Sequence, residues 1–287
     1  MKNILIPTDF SSNAWNALHY ATALFKEEPC TFYVLHTYTP SIAYSRFMAD
    51  AAGTTTVTQD VGAISKTSLA TVIAKIQKIA PNKNHNFVTR SSFNLLVEEI
   101  KEMVAEHQID LIVLGTKGAS GLSEVFMGSN TVRIIKGVTD CPVLAIPENF
   151  KFTQIREIAF ATNFNRFYTP SELAQIINLS KSFKAAIRVV YVQEKIQALT
   201  DVQQFNLHML RKYLTGLNYY IHTISKGASV AVTLEVFTEE LGIHLLAMLN
   251  YKHSYVERLT REPIVKQLAF HTEIPLLIIP ELSKHIG

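Results

Sequence analysis

Residues 111–138 read as a strand, a glycine-rich loop and a helix in direct succession. Leu111-Ile112-Val113-Leu114 is too short for a helix and β-branched enough for a buried strand. The string Gly115 to Thr131 follows, and then Val132, Ile135 and Val138 fall at helical spacing. Gly115 and Gly118 permit positive φ and carry no Cβ to block a close ligand. Gly128-Ser129-Asn130-Thr131 stands where the helix should begin. Amide N–H groups there have no partner within the helix, and the dipole favours an anion. The Ser129 and Thr131 hydroxyls add further hydrogen-bonding capacity. Such a loop suits a phosphate, although glycines that only turn the chain and a Ser129 or Asn130 that only caps the helix would read the same way. A P-loop is excluded, because Gly-x-x-x-x-Gly-Lys-Ser/Thr occurs nowhere in the sequence.

The residues before this string supply the rest of an alternating pattern. Lys2–Pro7 reads as a central strand, with Thr8-Asp9-Phe10-Ser11 as its exit loop. Ser11 or Ser12 caps a helix whose Ala14, Ala17, Leu18, Ala21 and Leu24 follow helical spacing. Thr31–His36 is a second strand, and Thr37–Gln59 a long loop. Val61–Ile79 is expected as a helix with Ile64, Leu69, Val72, Ile73 and Ile76 on its apolar side. Phe87–Ser91 is a third strand, Leu95–Glu106 a helix, Asp110–Leu114 the fourth strand and Pro142–Ile146 a fifth. Strands alternating with helices imply a parallel sheet covered on both faces. Ligands of such sheets bind beyond the carboxyl ends of the strands, where strand order reverses. Asp9, Thr37 and Gly115 each follow a strand and so share that edge.

Composition removes several classes of function. With 287 residues the chain has length for two domains, and a net charge of +3 without like-charge blocks argues against nucleic acid. No apolar run approaches a membrane span, the amino terminus lacks the apolar core of a signal peptide, and two cysteines imply no disulfide framework. Cys141, before a proline and a strand, is expected to be a small buried residue. A cytoplasmic location is expected.

Ile-Pro-Thr-Asp-Phe-Ser, Leu-His-Thr, Asp-Leu-Ile-Val-Leu-Gly-Thr-Lys-Gly, Gly-Ser-Asn-Thr-Val and Cys-Pro-Val-Leu-Ala-Ile-Pro occur in this order across residues 1–148. Together they resemble the segments of the universal stress protein family. The resemblance implies an α/β fold of the doubly wound, nucleotide-binding α-hydrolase-like kind. It also implies an adenine-nucleotide site formed by Pro7, Thr8, Asp9, Thr37, Leu114, Gly115, Lys117, Gly118, Gly128, Ser129, Asn130 and Thr131. Asp9 would serve the ribose or adenine side, the backbone at Thr37 the adenine, and the glycines with Ser129 and Asn130 the ribose and phosphates. His36 is read as a core histidine with its polar needs met.

Residues 155–287 repeat the plan. Ile155–Asn163 parallels Asn3–Asp9, and Ile274–Glu281 parallels Cys141–Glu148 without a gap. The expected domains are 1–149 and 150–287, both universal stress protein domains, the second degenerate and shortened. The front of the repeat aligns at an offset of 154 (158 minus 4) and the end at 133 (274 minus 141). Loss is assigned to the long loop and to the third helix, on reading Val230–Phe237 as a strand. At the end-anchored offset Gly115, Gly118, Gly128 and Ser129 become Met248, Tyr251, Arg261 and Glu262, and Asp9 becomes Asn163. The second half should therefore hold no nucleotide in the manner of the first.

Three functions follow: a module binding ATP or another adenine nucleotide, with Mg2+ as an optional companion; a slow ATP hydrolase; and a scaffold acting by protein contact. The binding module is favoured. No catalytic residue and no protein metal site is assigned, and at most weak hydrolysis is expected. Protein partners are unspecified, and no membrane is involved. The resemblance further implies that the halves form an intrachain pseudo-dimer through Pro142–Ile146 and Pro275–Ile279, with a homodimer of whole chains a further option.

Overall fold

The computed structural model describes residues 1–38, 54–116, 129–251 and 273–281. The described residues up to Cys141 form one compact unit, and those from Pro142 onward form a second.

The first unit runs β1 (Lys2–Pro7), α1 (Ser12–Leu24), β2 (Cys30–Thr37), α2 (Thr54–Ile79), β3 (His85–Ser92), α3 (Leu96–His107), β4 (Leu111–Gly115) and α4 (Ser129–Gly137). Its strands lie in the order β3-β2-β1-β4, all parallel. Ile4, Leu5 and Ile6 of β1 are fully buried, as a central parallel strand requires. The chain moves outward from β1 to β3, then returns past β1 to β4. Right-handed crossovers therefore put α1 and α2 on one face and α3 on the other. α4 packs beside α3, where a Cβ added to Gly137 would stand 2.6 Å from Cγ1 of Val97. Strand order reverses between β1 and β4, and that is where the loop after β4 leaves the sheet.

Local sequence explains most boundaries. Ser11 caps α1 by accepting the Ala14 N–H at 3.2 Å, and Ala14, Ala17, Leu18, Ala21 and Leu24 are buried as expected. α2 differs from expectation. It begins at Thr54 rather than Val61, and Ile64 is 65% exposed. The buried line runs through Gly62, Ser65, Leu69 and Ile76 instead. Gly62 and Ser65 are small enough for the helix to settle against Tyr38 and His36 at the end of β2, and that rotation turns Ile64 to solvent. Cys141 is buried, as expected, and burial pushes its thiol pKa up.

The second unit contains β5 (Val143–Ile146), β6 (Glu157–Ala161), α5 (Pro170–Phe183), β7 (Ala186–Gln193), α6 (Asp201–Tyr213), β8 (Tyr219–Ser225), α7 (Val230–Glu240), β9 (Leu245–Asn250) and β10 (Leu276–Pro280). Its order is β8-β7-β6-β9-β10-β5. The first five of these strands are parallel, and β5 runs antiparallel to β10. Leu277 faces Leu144, with Leu276 opposite Ala145 and Ile278 opposite Val143. Leu277 and Leu144 are also equivalent positions of the repeat, so this ladder has a local twofold register about them. Pairing of the two terminal strands was what the family resemblance implied.

The account of the missing helix is corrected. Val230–Glu240 is a helix, capped by Ser229 accepting the Val232 N–H at 3.1 Å, and the third strand of this unit is Tyr219–Ser225. Third and fourth strands start 26 residues apart in both halves (111 minus 85, and 245 minus 219). Second and third strands start 55 apart in the first half (85 minus 30) but 33 apart in the second (219 minus 186). The shortening lies entirely in the loop after the second strand and in its helix.

Candidate functional site

The parallel register brings the ends of β1, β2 and β4 to one edge of the first unit. Pro7, buried, ends β1 beside Leu35. Thr8 donates its N–H to the Leu35 carbonyl at 2.8 Å, and its Oγ1 accepts the Phe10 N–H at 3.0 Å. Asp9 is half-buried, and its Oδ1 accepts the Ser11 N–H at 3.0 Å. These two side chains hold Phe10 at φ 65°, a left-handed conformation that is uncommon for a bulky residue. Thr37 ends β2 in register with Ser92.

Leu114 is buried in β4, and Gly115 ends that strand. Gly115 is needed for a reason the sequence does not announce. Its φ lies outside the positive range, and a Cβ there would meet Cγ, Nδ2 and Oδ1 of Asn13 at 2.6–2.8 Å. The space is taken by the buried Asn13 of α1, whose position carries no sequence signal. Thr131 is also buried, and its hydroxyl donates to the Gly115 carbonyl at 3.1 Å. That bond ties the first turn of α4 to the end of β4. Asn130 is exposed beside it, and Ser129 is the first residue of α4. Lys117, Gly118 and Gly128 lie outside the described residues. The edge thus combines a carboxylate after β1 with the amino-terminal turn of a helix after β4.

Behind Asp9, Nδ1 of His36 is hydrogen-bonded to the Ser65 hydroxyl at 2.8 Å, and Ser65 to the Ser91 hydroxyl at 2.7 Å. The Phe10 ring lies 4.5 Å from the His36 ring. Burial holds the His36 pKa below its ordinary value, and Asp9 acts in the opposite sense.

The second unit repeats the turn and then closes the space over it. Thr162 accepts the Phe164 N–H at 3.3 Å, Oδ1 of Asn163 accepts the Asn165 N–H at 3.0 Å, and Phe164 has φ 57°. Tyr251 donates its hydroxyl to the same Asn163 Oδ1 at 2.5 Å. Nε2 of the buried Gln203 donates to the Asn163 carbonyl at 2.9 Å and to Oδ1 of Asn165 and the Tyr191 hydroxyl at 3.0 Å each. Arg166 lies 5.2 Å from the Tyr251 ring and pairs with Glu172 at 2.7 Å. Pairing within the sheets also moves the alignment of the halves by one residue. Ile4 pairs with Leu111 and its counterpart Ile158 with Leu245, an offset of 134 (245 minus 111). Gly115 therefore corresponds to Leu249 rather than Met248, and Tyr251 to Lys117 rather than Gly118.

The sequence profile of the universal stress protein family, a family of stress-response domains, matches residues 1–147. The chain belongs to this family. A universal stress protein of Methanocaldococcus jannaschii is 29% identical over 146 residues, covering 50% of this chain and 81% of that protein. Among solved structures, a universal stress protein from Archaeoglobus fulgidus superposes with a TM-score of 0.66 at 15% identity, covering 97% of this chain and 96% of the other. A functionally unknown protein from Pseudomonas aeruginosa gives a TM-score of 0.58 at 10% identity, covering 98% and 93%. At these identities the structural likeness shows the fold, and it extends over both halves of this universal stress protein. Among the described residues no helix is long and apolar enough to cross a membrane.

Proposed function

We propose that the first half binds one adenine nucleotide, ATP or AMP, at the edge formed by Asp9, Thr37, Gly115 and the start of α4, and that the second half binds none. The protein then acts as a binding module whose occupancy is read by other molecules. One observation carries this reading: the two halves build the same turn after their first strand, and the first keeps the Asp9 carboxylate where the second has Asn163 bonded to the Tyr251 hydroxyl at 2.5 Å. The groups at the first turn suit a nucleotide. The Asp9 carboxylate can accept from ribose hydroxyls, and the N–H groups at the start of α4 favour phosphate. Mg2+ accompanying ATP would neutralise part of the phosphate charge.

Small molecules released from freshly purified protein, identified by mass spectrometry and followed by calorimetric titration with ATP and AMP, test the proposal. One nucleotide per chain is expected. Asp9→Ala should weaken binding about tenfold or more, as loss of a charge-assisted hydrogen bond requires. Trp15, the single tryptophan, lies in α1 near Asn13 and provides a fluorescence readout. Absence of any bound nucleotide and of any heat would overturn the proposal. The scaffold reading would then lead, since α6 exposes Val202 at 60% and Phe205 at 58% one turn apart.

A further inference from the structure

The turn after the first strand is braced twice in this chain, with different residues. In the second half the Phe164 ring packs 5.4 Å from the ring of Tyr191 on β7, whose hydroxyl accepts from Gln203 on α6. In the first half the Phe10 ring packs 4.5 Å from the ring of His36 on β2, whose Nδ1 is bonded to Ser65 on α2. The register makes the two rings equivalent: Phe32 and Ile187 both pair with the repeat's first strand, at Ile4 and Ile158, and His36 and Tyr191 each stand four residues further on. Each brace joins a Phe in the left-handed region to the helix that follows the second strand. A left-handed conformation at a bulky residue persists only where its surroundings hold it.

We infer that His36 is a positioning residue of the first crevice, fixing the Asp9–Phe10 turn against α2 through the Phe10 ring and the Ser65 hydroxyl. The inference rests on the nucleotide reading given above. His36 acts through Phe10 and the Ser65–Ser91 pair, and needs no contact of its own with the ligand. The two braces differ in one chemical respect: imidazole titrates near neutrality and phenol does not. Asp9 lies in the turn near His36, and Tyr38 follows just past the end of β2, with its ring 6.3 Å from that of His36. α2 and β3 present the uncharged hydroxyls of Ser65 and Ser91. Burial favours the neutral ring at pH 7. A proton gained in acid places a positive charge near Asp9, which then competes with a ligand hydroxyl for the carboxylate. Affinity should therefore fall on acidification.

The test is nucleotide titration of the full chain, followed by Trp15 fluorescence, from about pH 7.5 to about pH 5.5. Wild type should weaken about fivefold or more over that range, as a coupled histidine does. His36→Phe keeps the ring contact but loses the bond to Ser65; it should bind more weakly at pH 7.5 and lose the pH slope. The double variant His36→Tyr with Ser65→Gln copies the brace of the second half. It should recover affinity at pH 7.5 and remain insensitive to pH. Equal slopes in wild type and His36→Phe would overturn the inference while leaving the nucleotide reading intact. Failure of wild type to bind nucleotide at any pH would overturn both.

Discussion

His222 and His244 share with His36 a pKa held below the ordinary value, in each case chiefly by burial. For His222 the charge of Arg188 adds to the effect, and for His244 that of Arg156. Unfolding releases these rings to bind protons more readily. Stability should therefore fall as pH drops from about 6.5 toward the lowered native values, and be restored on raising it. Melting temperatures measured from about pH 7 to pH 5 should show this slope, and His222→Phe, which preserves an aromatic contact with Phe237, should reduce it. An unchanged slope would place the acid sensitivity elsewhere. Glu99 behaves in the opposite sense. Burial alone would raise its pKa, but hydrogen bonds from Ser92, Asn94 and Arg90 outweigh it and leave the carboxyl below the usual range. Of the site residues, Asp9 and Thr37 were legible as strand-end positions from alternation alone. The partnership of Gly115 with Asn13 was not, because residues 102 apart become neighbours only once β4 lies beside α1 (115 minus 13). Gly115→Ala should accordingly disturb the Asn13 amide and cost about 1–3 kcal/mol, the range for overpacking, in a denaturant titration.

At the scale of elements, every strand of the first half was legible because short β-branched runs between helical patterns leave little choice. Val230–Glu240 misleads for a specific reason. Val230, Val232, Val236 and Phe237 have strand propensity, whereas Leu234 and Phe237 bury at helical spacing and Ser229 supplies the cap. Tertiary context overrides the weak preference of the residues. Ser229→Ala should therefore cost about 1 kcal/mol, as lost caps do, with the change read from the denaturation midpoint. Leu277→Ala should cost more. Its side chain is almost fully buried at the centre of the β5–β10 ladder, and leucine deletions at such sites remove about 2–5 kcal/mol. If the two variants proved equally mild, β5–β10 pairing would contribute little to the second unit. The start of α2 at Thr54 was not legible either, since Thr54-Thr55-Thr56 has no helical signature of its own.

Taken together, the two halves share one turn and differ in the residues around it. The same turn, Thr-Asx-Phe with the Phe left-handed, survives in both halves, so its strain belongs to the fold and does not depend on a ligand. What differs is the set of residues bonded around it. In the second half, side chains from the ends of β6 and β9 and from α6 satisfy one another through Asn163, Tyr251 and Gln203. In the first half the corresponding ring, His36, bonds Ser65 of α2, and Asp9 is half-buried. A ligand that binds the native state stabilises what it touches, by about 2.7 kcal/mol at a concentration of 100 times its Kd. Hydrogen exchange with saturating ATP should therefore slow in β1, the turn at Asp9, β4 and α4, and change little in β6, β7 and β9. Slowing of equal size in both sets would mean that the Tyr251 plug yields to nucleotide and that the second half is a binding site as well. Slowing confined to the first set would place the nucleotide in the first half alone and tie the asymmetry of the repeat to the change from Asp9 to Asn163.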